Sequence, residues 1–209
     1  MDPALIQTEL IQLRELTDPD ELRLRLLDLL CTVAYQEGDF VLSSGQQSSY
    51  YINGKQVTLH PMGGFLVGRT VMSRVLPDVQ AVAGLTLGAD PMVSAVSVVG
   101  AYEGRSLAAL IIRKEAKGHG TRAYIEGPDL PSGTPIAVLE DVVTTGQSAL
   151  KAVDRLKQAG YVIRQIIALV DRNQGAAELY QHHDLPFQAL FSIHDIQARW
   201  AQLQADSNS

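Results

Sequence analysis

Ile136-Ala137-Val138-Leu139-Glu140-Asp141-Val142-Val143-Thr144-Thr145-Gly146-Gln147-Ser148 is the stretch that decides how this chain is read. It opens with four apolar residues and no polar alternation, the pattern of a strand buried on both faces. The strand runs into two adjacent carboxylates and then a short Thr/Gly turn. A helical pattern follows through Leu150, Val153 and Leu156. Free backbone amides at a helix start, with Thr and Ser hydroxyls beside them, form a cradle for phosphate. Carboxylates cannot share that cradle with an anion. They only accept hydrogen bonds, which suits the paired hydroxyls of a ribose. The whole window therefore fits a sugar phosphate, with the phosphate on Thr144–Ser148 and the diol on Glu140 and Asp141. A plain strand end with an ordinary cap explains either half, but not both at this spacing.

Working outward, the residues 79–83, 107–112, 136–139, 166–170 and 187–191 read as strands. Helical patterns at 91–102, 148–159 and 176–181 lie between them. Strand–helix alternation predicts a mostly parallel sheet with helices on both faces, which places ligands beyond the carboxyl ends of the strands. The N-terminal part lacks this alternation and is expected to form a cap. There, Met1–Leu16 reads as an amphipathic arm. Asp18, Pro19 and Glu21 read as N-cap, first helical residue and capping-box partner of a helix ending near Gly38. The tail Gln204–Ser209 is polar and expected to fray. The division is one domain over 1–209, with arm and hood to about residue 60 and the core beyond.

The chain has 209 residues, 46% hydrophobic and 19% charged, which excludes a disordered polymer. With 17 Lys and Arg against 23 Asp and Glu, the net charge is −6. Broad nucleic-acid binding is not expected of it. A single cysteine, Cys31, excludes an intrachain disulfide or a cysteine-rich zinc site and reads as a packed core residue. No apolar run has the length of a membrane span, and the N-terminus lacks the features of a signal peptide, so a cytoplasmic protein is expected. Against this acidic background, Arg113, Lys114, Lys117 and His119 crowd into seven residues directly after a strand. Gly118 and Gly120 flank His119 and leave the backbone free to swing. Such a loop suits a polyanionic leaving group. Gly63–Thr70 has P-loop spacing, but Arg69 stands where a lysine is required and no strand precedes it, so it reads as a helix start. His182, His183 and His194 lack metal-ligand spacing, and Trp200 reads as helix packing or a subunit contact.

The 136–148 window resembles the phosphoribosyl-pyrophosphate motif of the type I phosphoribosyltransferases. Arg113–Thr121 resembles the mobile catalytic loop of the orotate phosphoribosyltransferases. Phe40–Gly45 with Tyr50–Asn53 resembles the orotate-side segment of that family, and Leu169-Val170-Asp171-Arg172 the strand end that carries an arginine for the orotate carboxylate. The resemblance implies an α/β type I phosphoribosyltransferase fold: a parallel five-stranded core sheet flanked by helices, with an N-terminal hood. It implies transfer of the phosphoribosyl group of phosphoribosyl pyrophosphate (PRPP) to orotate, giving orotidine 5′-phosphate and pyrophosphate in pyrimidine (UMP) biosynthesis.

The same resemblance implies the site. PRPP would contact Arg113, Lys114, Lys117 and His119, and the run Glu140, Asp141, Val142, Val143, Thr144, Thr145, Gly146, Gln147 and Ser148. Orotate would contact Tyr50, Tyr51, Thr144 and Arg172, with the Tyr50–Asn53 backbone. Lys114, Lys117, His119 and Asp141 would be catalytic. Mg²⁺ would come with the substrate and need no protein side-chain ligand, and a homodimer would share its active sites through the loop. Some members carry a lysine where this chain has Ser43, others where it has Gly88, which shifts pyrophosphate neutralisation onto the loop and Lys55. Two other readings stay open here. A non-catalytic PRPP-sensing regulator would need a nucleic-acid surface, and a purine-base transferase on the same fold would not need Arg172.

Overall fold

A computed structural model describes residues 11–41, 45, 47–117 and 123–207. Among them the parallel core predicted from the apolar runs is present. The strands are β3 (Ala81–Leu85), β4 (Ala108–Ile112), β6 (Pro135–Val143), β7 (Val162–Asp171) and β8 (Phe187–Ser192). All pair in parallel, and a two-residue antiparallel strand, β5 (Ile125–Glu126), is added at one edge. The spatial order is β5-β4-β3-β6-β7-β8. The chain thus builds outward from β3 in one direction and then returns to build in the other. The reversal opens a crevice at the carboxyl ends of β3 and β6, where ligands sit in folds of this kind.

Alternation explains why these strands are apolar throughout. On β6, Ala137 and Leu139 join one apolar cluster, while Ile136 and Val138 join the other. The first cluster also takes Leu26 and Leu30 from the N-terminal helix α1 (Pro19–Leu29) and the π-turn after it. It includes Leu66 and Val67 of α3 (Pro61–Met72) and Met92 and Val96 of α4 (Asp90–Tyr102). The second holds Val153 and Leu156 of α5 (Gln147–Gln158) and Tyr180 of α6 (Ala176–His182). Because α1 shares the first cluster, the N-terminal segment is continuous with the core. Only the antiparallel hairpin β1 (Tyr35–Val41) and β2 (Gln47–Ile52) forms a sheet of its own. A short helix, α2 (Lys55–Thr58), joins it to α3.

Several expectations are corrected. The N-terminal helix ends at a π-turn, Leu30–Ala34, rather than near Gly38. Tyr35 is drawn into the hairpin instead: it pairs with Ile52 and its ring meets Tyr50 and Trp200 at 6.0 and 5.9 Å. Gly38 sits where the hairpin register shifts, a bulge rather than a helix stop. Asp18 does cap the helix, accepting from Asp20 N–H at 2.9 Å, but Glu21 pairs with Arg25 and does not close a box. At the other end, α7 (Ile193–Ser207) carries the polar tail as helix through Ser207. Arg199 pins it to Asp28 by two hydrogen bonds, at 2.6 and 3.2 Å. Most of the amphipathic arm lies outside the described residues, although Leu13 is buried. Cys31 is buried against the α7 backbone, and the three histidines are exposed.

Candidate active site

The crevice is built from the ends of three parallel strands. Glu140 and Asp141 lie in the last turn of pleat on β6, and their side chains point to opposite faces of the sheet. Val142 and Val143 send their side chains toward the two apolar clusters, leaving only backbone for a ligand. After Val143 the chain turns through Thr144 and Thr145 to Gly146, which caps α5 in the left-handed conformation at φ 83°. Any side chain at 146 would also meet the Tyr180 ring at 2.9 Å. Tyr180 is fully buried, and its hydroxyl donates to the Gly146 carbonyl at 3.2 Å. Thr145, Gln147 and Ser148 are exposed. The first amides of α5, like those of any helix start, have no intrahelical acceptor.

Asp141 is buried because two backbones close on it. A Cβ added at Gly88, in the turn after β3, would fall 2.4 Å from Asp141 Oδ1. One added at Gly54 would fall 3.1 Å from Asp141 Cβ. At Gly88 the turn after β3 lies directly on the carboxylate. A side chain at 88 would force one of them to move. Lys55 follows Gly54 and so starts α2 beside the same carboxylate. Ser43 and His119 lie outside the described residues.

β7 brings the second half of the site alongside. Val143 is in register with Asp171, and Arg172 N–H donates to the Val143 carbonyl at 3.0 Å. Arg172 thus stands next to Thr144. Its Nε donates to the Tyr50 hydroxyl at 3.0 Å, and its guanidinium lies 4.9 Å from the Tyr50 ring centre. Tyr51, the next residue on β2, faces the other way and packs on Phe40 at 5.6 Å. The structure therefore separates the two tyrosines that the sequence reading grouped.

The basic segment leaves β4 as one arm of a stem. Arg113 N–H donates to the Tyr124 carbonyl, and Lys117 N–H to that of Ala123. Its cations are divided. Arg113 pairs with Glu126 at 3.0 Å, and Lys117 approaches the same carboxylate oxygen at 3.9 Å. Lys114 acts on Glu140, easing its ionisation. Thr86, Ile111, Arg113, Lys114, Glu115 and Glu126 line a cavity of about 420 Å³ at this edge. Glu126 and Tyr180 were absent from the sequence reading. Neither has a local signal, since each acts through residues far along the chain.

No family model matches the chain. The orotate phosphoribosyltransferase of Nostoc sp. strain PCC 7120 is 68% identical over 186 residues, covering 89% of this chain and 90% of that protein. The chain belongs to the orotate phosphoribosyltransferase family. The Synechocystis sp. strain PCC 6803 member is 62% identical over 182 residues, 87% of this chain and 92% of that protein. The fold agrees: a Mycobacterium tuberculosis orotate phosphoribosyltransferase solved in complex with PRPP superposes with a TM-score of 0.72 at 32% identity. That match covers 84% of this chain and 99% of the other.

Within this family member, Glu140 is the most perturbed carboxylate of the crevice. Burial pushes it up to about 8, the adjacent Asp141 charge adds to the rise, and Lys114 opposes it. Its Oε2 is buried without a hydrogen-bond partner among the described residues. The linkage has a definite sign. Between the ordinary value of 4.5 and about 8, the folded chain holds a proton that the unfolded chain has lost. This group's contribution therefore falls as pH rises through that window, by at most about 1.4 kcal/mol per pH unit. Thermal melts of ligand-free Glu140→Gln and parent protein from pH 5 to 9 check this. The variant is expected to gain on the parent as pH rises and level off above pH 8. A difference independent of pH would show that Glu140 is already ionised in the free protein.

Proposed function

We propose that this chain transfers the phosphoribosyl group of PRPP to orotate, releasing pyrophosphate and forming orotidine 5′-phosphate for UMP synthesis. The observation that carries this reading is the juxtaposition of the Glu140–Ser148 strand end and turn with the Arg172–Tyr50 pair across neighbouring strands. The 5-phosphate takes the amides of Thr144–Ser148, and the ribose hydroxyls donate to Glu140 and Asp141. Those hydroxyls supply the partner that Glu140 Oε2 lacks, and they favour its ionised form.

The base site follows from Arg172. Its planar fork matches the orotate carboxylate, and Tyr50 holds the guanidinium from one side. A base without a carboxylate would leave that charge unanswered, which favours orotate over a purine. An orotate ring nitrogen attacks the anomeric carbon as the bond to the pyrophosphate oxygen breaks, and no protein nucleophile is required. Holding both partners in line supplies a large part of the acceleration. Positive charge developing on the ribose is offset by the Glu140–Asp141 pair, and the departing pyrophosphate by Arg113, Lys114, Lys117 and His119. Lys55, at the start of α2, would add to that charge.

Mg²⁺ fits this site as an ion carried by the substrate. The hard oxygen donors it prefers are those of the pyrophosphate and of water. When bound, it supplies further neutralisation of pyrophosphate. The working unit is a homodimer in the cytoplasm, with Lys117 and His119 reaching the partner's site on closure. Among the described residues no helix is long and apolar enough to cross a membrane.

Two measurements test this. Pyrophosphate release is expected with orotate but not with hypoxanthine or adenine. Arg172→Ala should lower orotate kcat/KM by the equivalent of about 2–5 kcal/mol, the scale for truncating one member of a buried charged pair. Unchanged orotate turnover in that variant would move the base site elsewhere. For the shared site, Lys117→Ala and Asp141→Asn chains, each inactive alone, should regain activity when mixed under subunit exchange. Demonstrated exchange without recovered activity would mean that the loop serves its own subunit.

A further inference from the structure

Arg155 lies on α5, two turns beyond the phosphate turn, and was not among the residues singled out from sequence. Its side chain crosses to the stem of the basic loop. Nη1 donates to the carbonyl of Arg113, and Nη2 donates to that of Lys114 at 2.9 Å. The guanidinium also lies 4.1 Å from the ring centre of Tyr124, on the opposite arm of the stem. One side chain therefore holds both arms. Backbone bonds from Arg113 to Tyr124 and from Lys117 to Ala123 tie the arms to each other, but neither ties the stem to α5. Arg155 does that. A planar fork suits the task, because it can serve two successive carbonyls and stack on a ring together.

We propose that Arg155 is a positioning residue that couples the phosphate-binding helix to the catalytic loop, fixing the backbone of Lys114 so that its ammonium serves the crevice. The inference rests on the reading of the loop as the pyrophosphate-neutralising element. The physical argument is one of direction. Lys114 has four rotatable bonds and is exposed, so only its backbone can be held in advance. Both carbonyls that flank the Lys114 N–H and Cα are held by the same guanidinium. α5 starts at Gly146, so the anchor at its far end is rigidly related to the phosphate cradle. The distance from 5-phosphate to pyrophosphate is thereby set by one helix and one side chain. Glu126, which pairs with Arg113 and Lys117, shares no hydrogen bond with Arg155 among those described, so the two devices are separable.

The test compares Arg155→Ala and Arg155→Lys with Lys114→Ala and the Arg155→Ala/Lys114→Ala double variant, using the full chain with PRPP, Mg²⁺ and orotate. Arg155→Ala is expected to lower kcat by about tenfold, because only part of the lost anchoring is expressed in the transition state. The KM for orotate should stay within about twofold, since Arg172 and Tyr50 are untouched. Arg155→Lys keeps the charge but not the fork, and should recover little. Because Arg155 acts through Lys114, adding Arg155→Ala to Lys114→Ala should cost almost nothing further. Hydrogen exchange should quicken at 113–117 and 123–126 while α5 keeps its protection. Full multiplication of the two single losses would overturn the proposal, as would a lowered melting temperature with all kinetic constants worsening together. A damaging Lys114→Ala beside a silent Arg155→Ala would sink this inference alone. A silent Lys114→Ala would sink both it and the reading of the loop.

Discussion

Asp141 is lodged where two backbones close over a strand end, and the rest of the site is arranged around that close approach. Gly88 brings the turn after β3 onto one side of the carboxylate, and Gly54 brings the segment entering α2 onto the other. Position 88 has no room for a side chain while Asp141 stays in place, and position 54 has room only if a neighbour gives by a few tenths of an ångström. The constraint ties together the hairpin side of the molecule, the switch point of the sheet and the strand that leads into the phosphate turn. It also explains why an acidic residue at a strand end is as buried as it is. The enclosure fixes the carboxylate by packing, so its acceptor oxygens are oriented in advance of any ligand.

Charge is distributed so that the site can be open and still be stable. The two carboxylates of the crevice sit back to back on β6, and the more desolvated, Glu140, is held near neutrality until donors arrive. The cations lie at the edge beyond β4, two of them resting on Glu126, while Lys114 acts on Glu140. These exposed pairs are weak and easily exchanged for a polyanion.

The parallel core was legible because its strands are buried on both faces, which leaves continuous apolar runs such as Ile136–Leu139 and Ile166–Val170. The end of β6 stood out for the opposite reason, since two carboxylates ending such a run contradict a packed strand. The β1–β2 hairpin was not legible. Its burial alternates weakly, with Gln47, Ser48 and Ser49 at the start of β2, and it has no continuous apolar face. Missing the hairpin meant that Tyr50 and Tyr51 could not be told apart, because only strand geometry sends one to Arg172 and the other to Phe40. Arg155, Glu126 and Tyr180 were invisible for a third reason. Each acts on backbone or charge at least 9 residues away along the chain, and no local pattern marks such a contact.

In the proposed reaction the turn from β6 into α5 anchors the sugar phosphate, and the strand-end carboxylates read its hydroxyls. A crystal structure of the protein with ribose 5-phosphate tests it most directly, because that ligand carries no pyrophosphate to draw it toward the loop cations. Phosphate oxygens are expected about 2.7–3.1 Å from the amides of Thr144 to Ser148, with ribose hydroxyls on Glu140 and Asp141. A phosphate seated instead among Arg113, Lys114 and Lys117, with the Thr144–Ser148 turn empty, would contradict it.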